Sequence, residues 1–188
     1  NEIRSRQPEL RPQKLERYHR EYDIPDYDAE IITGTKHMAD LFEETTKICG
    51  KPKKVSNWLM GETMRLLKEN SMEAEEICFA PEHLAVLIEL VDAGTINGSV
   101  AKEVFEEMFK SDVDPEKYVE EKGLKVVNDE GALRETIEKV IAENPQSVED
   151  YHNGKKKAMG FLVGQTMKAM KGKANPAMVN AILQELLA

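Results

Sequence analysis

Apolar positions recur at intervals of three and four along most of this 188-residue chain, and this spacing constrains the fold more than any other feature. One helical face, for example, carries Met38, Leu41, Phe42, Thr45 and Ile48. Alternating apolar and polar runs, which would indicate strands, do not exceed about four residues. Aromatic residues contribute only 6%, and methionine and alanine supply much of the apolar content, as is typical of helix cores. The sequence therefore predicts an all-α fold.

Prolines, glycines and capping residues indicate where the helices begin and end. A helix is predicted over Arg11–Tyr22. Pro25 ends it, because the residue before a proline avoids the helical region. A short turn or helix is predicted over 25–32, and helices are predicted over 37–49 and 52–70. The next helix runs from Pro81 to the turn at Gly94, and the one after it is capped by Ser99. The remaining helices are a short helix ending at Lys122, a helix capped by Asp129, a helix over 155–171 closed by Gly172, and a helix from Pro176 to Leu187. Residues 125–127 are expected to be briefly extended.

Two helical bundles are predicted, with a boundary at Asp112–Pro115, where acidic residues and a proline follow an apolar stripe. The first bundle would comprise about 110 residues and the second about 70, which is marginal for a bundle that folds alone. The chain begins with Asn1 rather than Met, and its opening segment is typical of the interior of a longer polypeptide.

Charge is distributed unevenly along the chain. The net charge is −9, which by itself argues against a nucleic-acid partner. Residues 151–188, however, contain six lysines and one glutamate, a balance of +5, so that the remaining residues carry −14. An asymmetry of this size indicates a partner for the basic segment.

The sequence shows no sign of a membrane span or of secretion. It contains no apolar run of about 18 residues and no signal-peptide pattern, so a cytoplasmic location is expected. Cys49 and Cys78 lack the spacing of a metal site or of a CxxC motif, and each lies beside apolar residues. Both are therefore expected to be buried free thiols.

The segment Gly154–Pro176 combines lysines with unusually placed glycines. Lysines 157, 168 and 171 lie within about 50° of one another on a helical wheel. Gly160 and Gly164 each cost a helix about 1 kcal/mol relative to alanine, so close approach of another backbone is expected beside them. The corner 172–176 ends one helix and begins the next, and its N–H groups are expected to be unpaired and to attract phosphate.

These features define the candidate site. The candidate RNA-binding residues are Lys155, Lys156, Lys157, Lys168, Lys171, Lys173 and Asn175, and the candidate close-approach residues are Gly154, Gly160, Gly164 and Gly172. A solvated lysine face and tight helix packing at the glycines are the structural alternatives, and residue types alone favour them. Phe161 is expected in the core, so contact with the RNA backbone and shape is predicted rather than base stacking.

Several short motifs occur in the order and spacing of a known family. They are Pro8-Glu9-Leu10, Arg17-Tyr18, Tyr27-Asp28-Ala29, Asn57-Trp58-Leu59-Met60-Gly61-Glu62, Asp92-Ala93-Gly94-Thr95-Ile96, Ala101-Lys102-Glu103-Val104-Phe105, Val163-Gly164-Gln165 and Gly172-Lys173-Ala174-Asn175-Pro176. Over essentially the whole chain this pattern resembles the C-terminal part of the B subunit of the aspartyl/glutamyl-tRNA amidotransferase. A related tail also occurs as a stand-alone small protein.

The resemblance implies both an architecture and a role. Residues 1–35 would leave a catalytic domain that is missing here, 36–114 would form a helical linker bundle, and 115–188 would form a mobile tail. In that family the tail holds the outer corner of tRNA around the D loop, where it would discriminate cognate tRNA by shape. The complex forms Gln-tRNA(Gln), Asn-tRNA(Asn) or both by ATP-dependent transamidation, with ammonia released from glutamine by another subunit.

The same resemblance sets the expected ligands. ATP and Mg²⁺ would bind the missing N-terminal domain, and no cofactor, metal or catalytic residue is expected in this segment. The expected partners are tRNA(Gln) and/or tRNA(Asn), together with the amidase (A) and small (C) subunits. The residue pattern also indicates no metal, cofactor or catalytic site, because the four histidines are far apart in the sequence and neither HExxH nor GxxxxGK[ST] occurs.

Two functional hypotheses remain from the sequence. The first is a tRNA-binding appendage of a ligase subunit. The second is a non-catalytic helical module that docks on a protein, as in the stand-alone relatives, with the lysines solvated. A free-standing enzyme has no residue set to support it.

Overall fold

A computed structural model describes residues 9–188 of the chain and confirms the all-α prediction. Pro8 of the first motif, and the other residues before Glu9 in the predicted exit segment, lie outside this range. Within the described residues the β-type pairing is limited to one isolated parallel bridge, between Val127 and Ala174. No helix there is both long enough and apolar enough to cross a bilayer.

The helices follow one another with short connections. They are α1 Arg11–Tyr22, α2 Asp26–Ile32, α3 Lys36–Cys49, α4 Pro52–Trp58, a π-helical turn Leu59–Thr63, α5 Met64–Asn70, a 3₁₀ turn Ala74–Glu76, α6 Pro81–Asp92, α7 Gly98–Ser111, α8 Pro115–Glu121, α9 Glu130–Glu143, α10 Pro145–His152, α11 Lys156–Ala169 and α12 Pro176–Leu186.

The chain divides into two compact units. Within the described residues, the first consists of 9–90 and Lys102–Tyr118, and the second of Val91–Ala101 and Val119–Ala188. The boundaries expected at 35/36 and 114/115 from the family resemblance stay predictions.

The first unit has an aromatic centre. Phe105 is fully buried, and its ring lies 5.1 Å from that of Trp58 and 5.3 Å from that of Phe79, measured between centroids. Phe109 joins the same cluster at 6.5 Å from Phe105. Phe105 and Phe109 thus lie on the buried side of α7.

A charged network joins α1 to α3 in the first unit. The Glu43 carboxylate accepts hydrogen bonds from Lys14 Nζ (2.8 Å), Arg17 Nη2 (3.0 Å) and the Tyr18 hydroxyl (2.8 Å). Arg17 also makes a bidentate pair with Glu9. Burial tends to raise the pKa of Glu43, but the hydrogen bonds from Lys14 and Tyr18 and the charge of Arg17 outweigh it, so the pKa lies below its usual value.

A π-helical turn interrupts the helix predicted over 52–70. The buried positions there recur every four residues, at Val55, Leu59, Thr63 and Leu67. A regular α-helix has 3.6 residues per turn and would rotate this row away from the core. The wider i→i+5 turn offsets that rotation, so the four residues stay on one side.

The second unit has its own core, formed by α9, α11 and α12. Its buried residues are Leu133, Ile137, Val140, Leu162, Ala174, Val179, Ile182, Leu183 and Leu187. Helix α10 was not predicted from the sequence, because its partly buried Val148 and Tyr151 are too few to produce a clear periodic stripe.

Three sequence predictions in these elements were wrong. Asn97, rather than Ser99, caps α7, since its Oδ1 accepts from Val100 N at 3.0 Å. Ile48 is 53% exposed, because the last turn of α3 leaves the core before Gly50. Cys78 is exposed and Cys49 half-buried. Ile77 and Phe79 on either side of Cys78 are buried, and alternate residues of an extended segment face opposite sides, so Cys78 stays exposed while its Sγ donates to the Phe109 carbonyl oxygen at 3.5 Å.

Glu43→Gln should reduce the free energy of unfolding by about 2 kcal/mol at pH 7, because three donors lose an anionic acceptor. A carboxylate with a lowered pKa stabilises the fold above its unfolded pKa, and the stabilisation is lost as the pH falls through the folded pKa. Urea unfolding should therefore show the two proteins converging below about pH 4. The exposed Glu44→Gln on the same helix is the control. Equal stabilities at pH 7 would contradict the network's role.

Candidate nucleic-acid interface on helix α11

Helix α11 has one buried side and one bare side. Ala158, Leu162 and Thr166, spaced four apart, are buried, and the Thr166 hydroxyl donates to the Leu162 carbonyl oxygen at 2.9 Å. The opposite side is exposed throughout. It consists of Lys157, Gly160, Phe161, Gly164 and Lys168, hereafter the lysine–glycine face.

The helix ends earlier than predicted. It stops at Ala169, and Lys171 and Gly172 both adopt positive φ, of 53° and 73°. Gly172 N donates to the Met167 carbonyl oxygen at 2.8 Å, which closes the helix end. A left-handed conformation is unfavourable for lysine. The hydrogen bond that closes the helix end therefore holds Lys171 in this conformation. Its side chain is exposed just past the lysine–glycine face.

Other parts of the second unit hold the corner that follows. The Asn97 side-chain amide donates to the Gly172 carbonyl oxygen. Val127 N donates to the Lys173 carbonyl oxygen at 2.7 Å, beside the bridge to Ala174. Of the brief extension predicted at residues 125–127, the structure shows the bridge at Val127, whereas Lys125 lies in a bend. This pairing holds the backbone of Lys173 in place.

The expectation of unpaired N–H groups at this corner was wrong. The Asn175 side chain accepts hydrogen bonds from Ala177 N at 3.0 Å and from Met178 N at 3.5 Å. Pro176 at the first helical position has no N–H to offer. The N-terminus of α12 is thus capped by its own side chain, and the basic character of the corner comes from lysines.

Most of the candidate lysines have no carboxylate neighbour. Lys155 pairs with Asp150 at 2.8 Å, and the hydrogen bond to that carboxylate raises its pKa. Lysines 156, 157, 168, 171 and 173 make no ion pair within residues 9–188. All of these except the half-buried Lys173 are exposed. The result is an open basic surface along α11 and its C-terminal corner.

The tight packing expected at the glycines was also wrong. A Cβ atom added at Gly160 or Gly164 would meet nothing within 4 Å, so no other part of the chain approaches them. Gly154 and Gly172 serve a different purpose, since both have positive φ, of 81° and 73°, where glycine is favoured. The glycines of α11 therefore leave bare helix surface beside the lysines.

Phe161 was assigned to the core, and the structure places it outside. Its side chain is 46% exposed. The signal was present in the sequence, because Phe161 lies four residues after Lys157 and seven before Lys168, which puts all three on one side of a helix. Phe161 was expected in the core because its neighbours Leu162 and Val163 are apolar, but those two side chains point to other sides of the helix.

The histidines do not form a site. His83 Nδ1 contacts Asp112 at 2.7 Å, and His37 and His152 face backbone carbonyl oxygens at 3.2 and 3.0 Å. No cluster of three side chains able to hold a metal ion occurs among residues 9–188.

Comparison with known proteins decides the family. The family described as "GatB domain" matches residues 40–187. The chain is similar to the B subunit of the aspartyl/glutamyl-tRNA(Asn/Gln) amidotransferase from three bacteria. The identities are 71% over 186 residues for Agathobacter rectalis, 62% over 186 for Lachnoclostridium phytofermentans and 51% over 185 for Clostridium tetani.

The chain belongs to the amidotransferase B-subunit family. The alignments cover 98–99% of this chain but 39% of each relative, so the chain spans about two fifths of their length. The resemblance carried by the short motifs is confirmed. The last two of those motifs fall on the basic surface, at Gly164 within α11 and at the corner before α12.

Replacing Gly160 or Gly164 by alanine should stabilise this member of the B-subunit family. Each change should raise the free energy of unfolding by about 0.5–1 kcal/mol, because alanine favours the helix and its methyl group meets empty space.

Gly172→Ala is the matched control, since the same chemical change at positive φ should destabilise the chain in the same urea titrations. A lower stability for Gly160→Ala would show that another backbone does pack against that position.

Proposed function

We propose that this chain is the tRNA-binding C-terminal region of an amidotransferase B subunit, and that it positions tRNA rather than carrying out chemistry. The complex would form Gln-tRNA(Gln), Asn-tRNA(Asn) or both by ATP-dependent transamidation in the cytoplasm. Its partners would be tRNA and the amidase and small subunits. The proposal is supported by the relatives, which are named as Asp/Glu-tRNA amidotransferase B subunits.

The observation that carries the tRNA-binding role is the set of unpaired lysines on the second unit. A cation that makes no ion pair within the protein keeps its full charge available for a phosphate. Five such lysines lie along α11 and the corner behind it, within a chain whose net charge is −9. Acidic proteins repel nucleic acid unless positive charge is segregated in this way.

ATP and Mg²⁺ are assigned in this proposal to the N-terminal domain of the family. The present sequence has no P-loop, and residues 9–188 show no carboxylate cluster suited to Mg²⁺. The role of these residues is to bind and orient tRNA.

The alternative is a helical module that docks on a protein. The exposed Phe161 is the observation in its favour, because exposed aromatic side chains are common at the centres of protein interfaces. The unpaired lysines on both sides favour a polyanion over a protein surface.

The salt dependence of tRNA binding separates the two functions. With three to five phosphates neutralised, the logarithm of the association constant should fall with the logarithm of salt concentration at a slope of roughly −2 to −5. Replacing Lys168, Lys171 and Lys173 by alanine should make that slope less negative, by roughly 2. Filter binding or fluorescence anisotropy with a tRNA(Gln) transcript would measure it.

A charge-matched variant controls for the change in net charge. Lys122, Lys125 and Lys139 also belong to the second unit but are not part of α11 or of the corner 172–176, and replacing them by alanine removes the same number of charges. This variant should keep the slope of the unmodified chain. A slope near zero in the unmodified chain, or equal slopes in both triple variants, would favour the docking module.

A further inference from the structure

An exposed aromatic ring occupies the middle of the basic surface. Phe161 is 46% exposed, whereas Phe79 and Phe105 of the first unit are almost fully buried. Leaving an aromatic ring in water forfeits the stabilisation that burial would provide. At this site the ring is surrounded by cations and bare backbone, which is the setting in which aromatic side chains stack on unpaired bases.

Building on the proposed function, we infer that Phe161 stacks on an exposed base plane of the bound RNA, flanked by phosphate contacts from Lys157 and Lys168. This adds a contact of a different kind to the electrostatic one. The phosphates supply affinity without regard to sequence, while the ring requires a base that is free on one side.

The positions along α11 allow both contacts at once. Lys157 and Lys168 are eleven residues apart, or about 16 Å along the helix axis, and Phe161 lies between them. Long, unpaired lysine side chains on either side of the ring can reach phosphates on both sides of a stacked nucleotide. An anionic occupant is required, because the face presents two cations and no carboxylate.

The glycines make room for the base. Gly160 precedes Phe161, and Gly164 lies three residues after it, so both lie on the same exposed side of α11. A Cβ atom built at either position would meet no atom beyond its chain neighbours within 4 Å, so bare helix backbone is exposed before and after Phe161. A flat base on the ring can extend over this bare backbone, where a larger side chain would block it.

This arrangement gives the two exposed glycines of α11 a role other than folding. Alanine would strengthen α11 at both positions, so the glycines are not favoured by folding. We therefore expect Gly160→Ala and Gly164→Ala to weaken RNA binding while they stabilise the protein. A glycine that affected RNA binding only through the fold would change the protein's stability and its RNA affinity in the same direction.

The test uses the 188-residue chain and a tRNA(Gln) transcript. Phe161→Leu keeps an apolar side chain but removes the ring, and should lower affinity about tenfold while leaving the salt slope unchanged. Phe161→Trp should retain affinity. Lys157→Ala with Lys168→Ala should instead reduce the slope, by roughly 0.7–0.9 for each lysine. Inorganic polyphosphate, a polyanion without bases, should respond to the lysine changes but not to Phe161→Leu.

Phe161→Trp also provides a direct signal of stacking. Its emission should be quenched when tRNA is added, and the unmodified chain, whose single tryptophan is Trp58, gives the background. Normal tRNA affinity in Phe161→Leu, or unquenched Phe161→Trp emission in the complex, would overturn the stacking contact while leaving the proposed function standing. A salt slope near zero in the unmodified chain would remove the proposed function itself.

Discussion

The packing of α11 against α9 and α12 determines what the second unit can do. Leu162 is fully buried among residues that include Leu133 and Val179, and this fixes the rotation of α11 about its own axis. Once Leu162 faces inward, the rotation of about 100° per residue places Phe161 and Lys168 in solvent. The basic surface is thus a consequence of apolar burial on the other side of the same helix.

Much of the helical framework could be predicted because its limits are set by local chemistry. The bounds predicted for α1 agree with those observed, since Pro25 and the left-handed Asp23 end that helix whatever the rest of the chain does. Asp129 caps its helix as expected, through a side-chain oxygen that accepts from nearby N–H groups. Such signals need no knowledge of tertiary contacts.

The candidate site was predicted less well, because its properties depend on what each residue meets in three dimensions. The lysines could be grouped from the sequence, but only the structure shows that Asp150 pairs with Lys155 and leaves the others without an ion pair. Gly160 was expected against another backbone and faces open space. Glycine spacing is the same in both situations, so the sequence could not distinguish a packed groove from a bare surface.

The most direct test of tRNA binding at α11 is the acetylation of lysine side chains with and without tRNA, followed by mass spectrometry. Bound tRNA should protect lysines 156, 157, 168, 171 and 173, whereas Lys125 and Lys139 of the same unit should react at an unchanged rate. Equal protection of both groups, or none in the first, would show that the exposed side of α11 is not the surface that meets RNA.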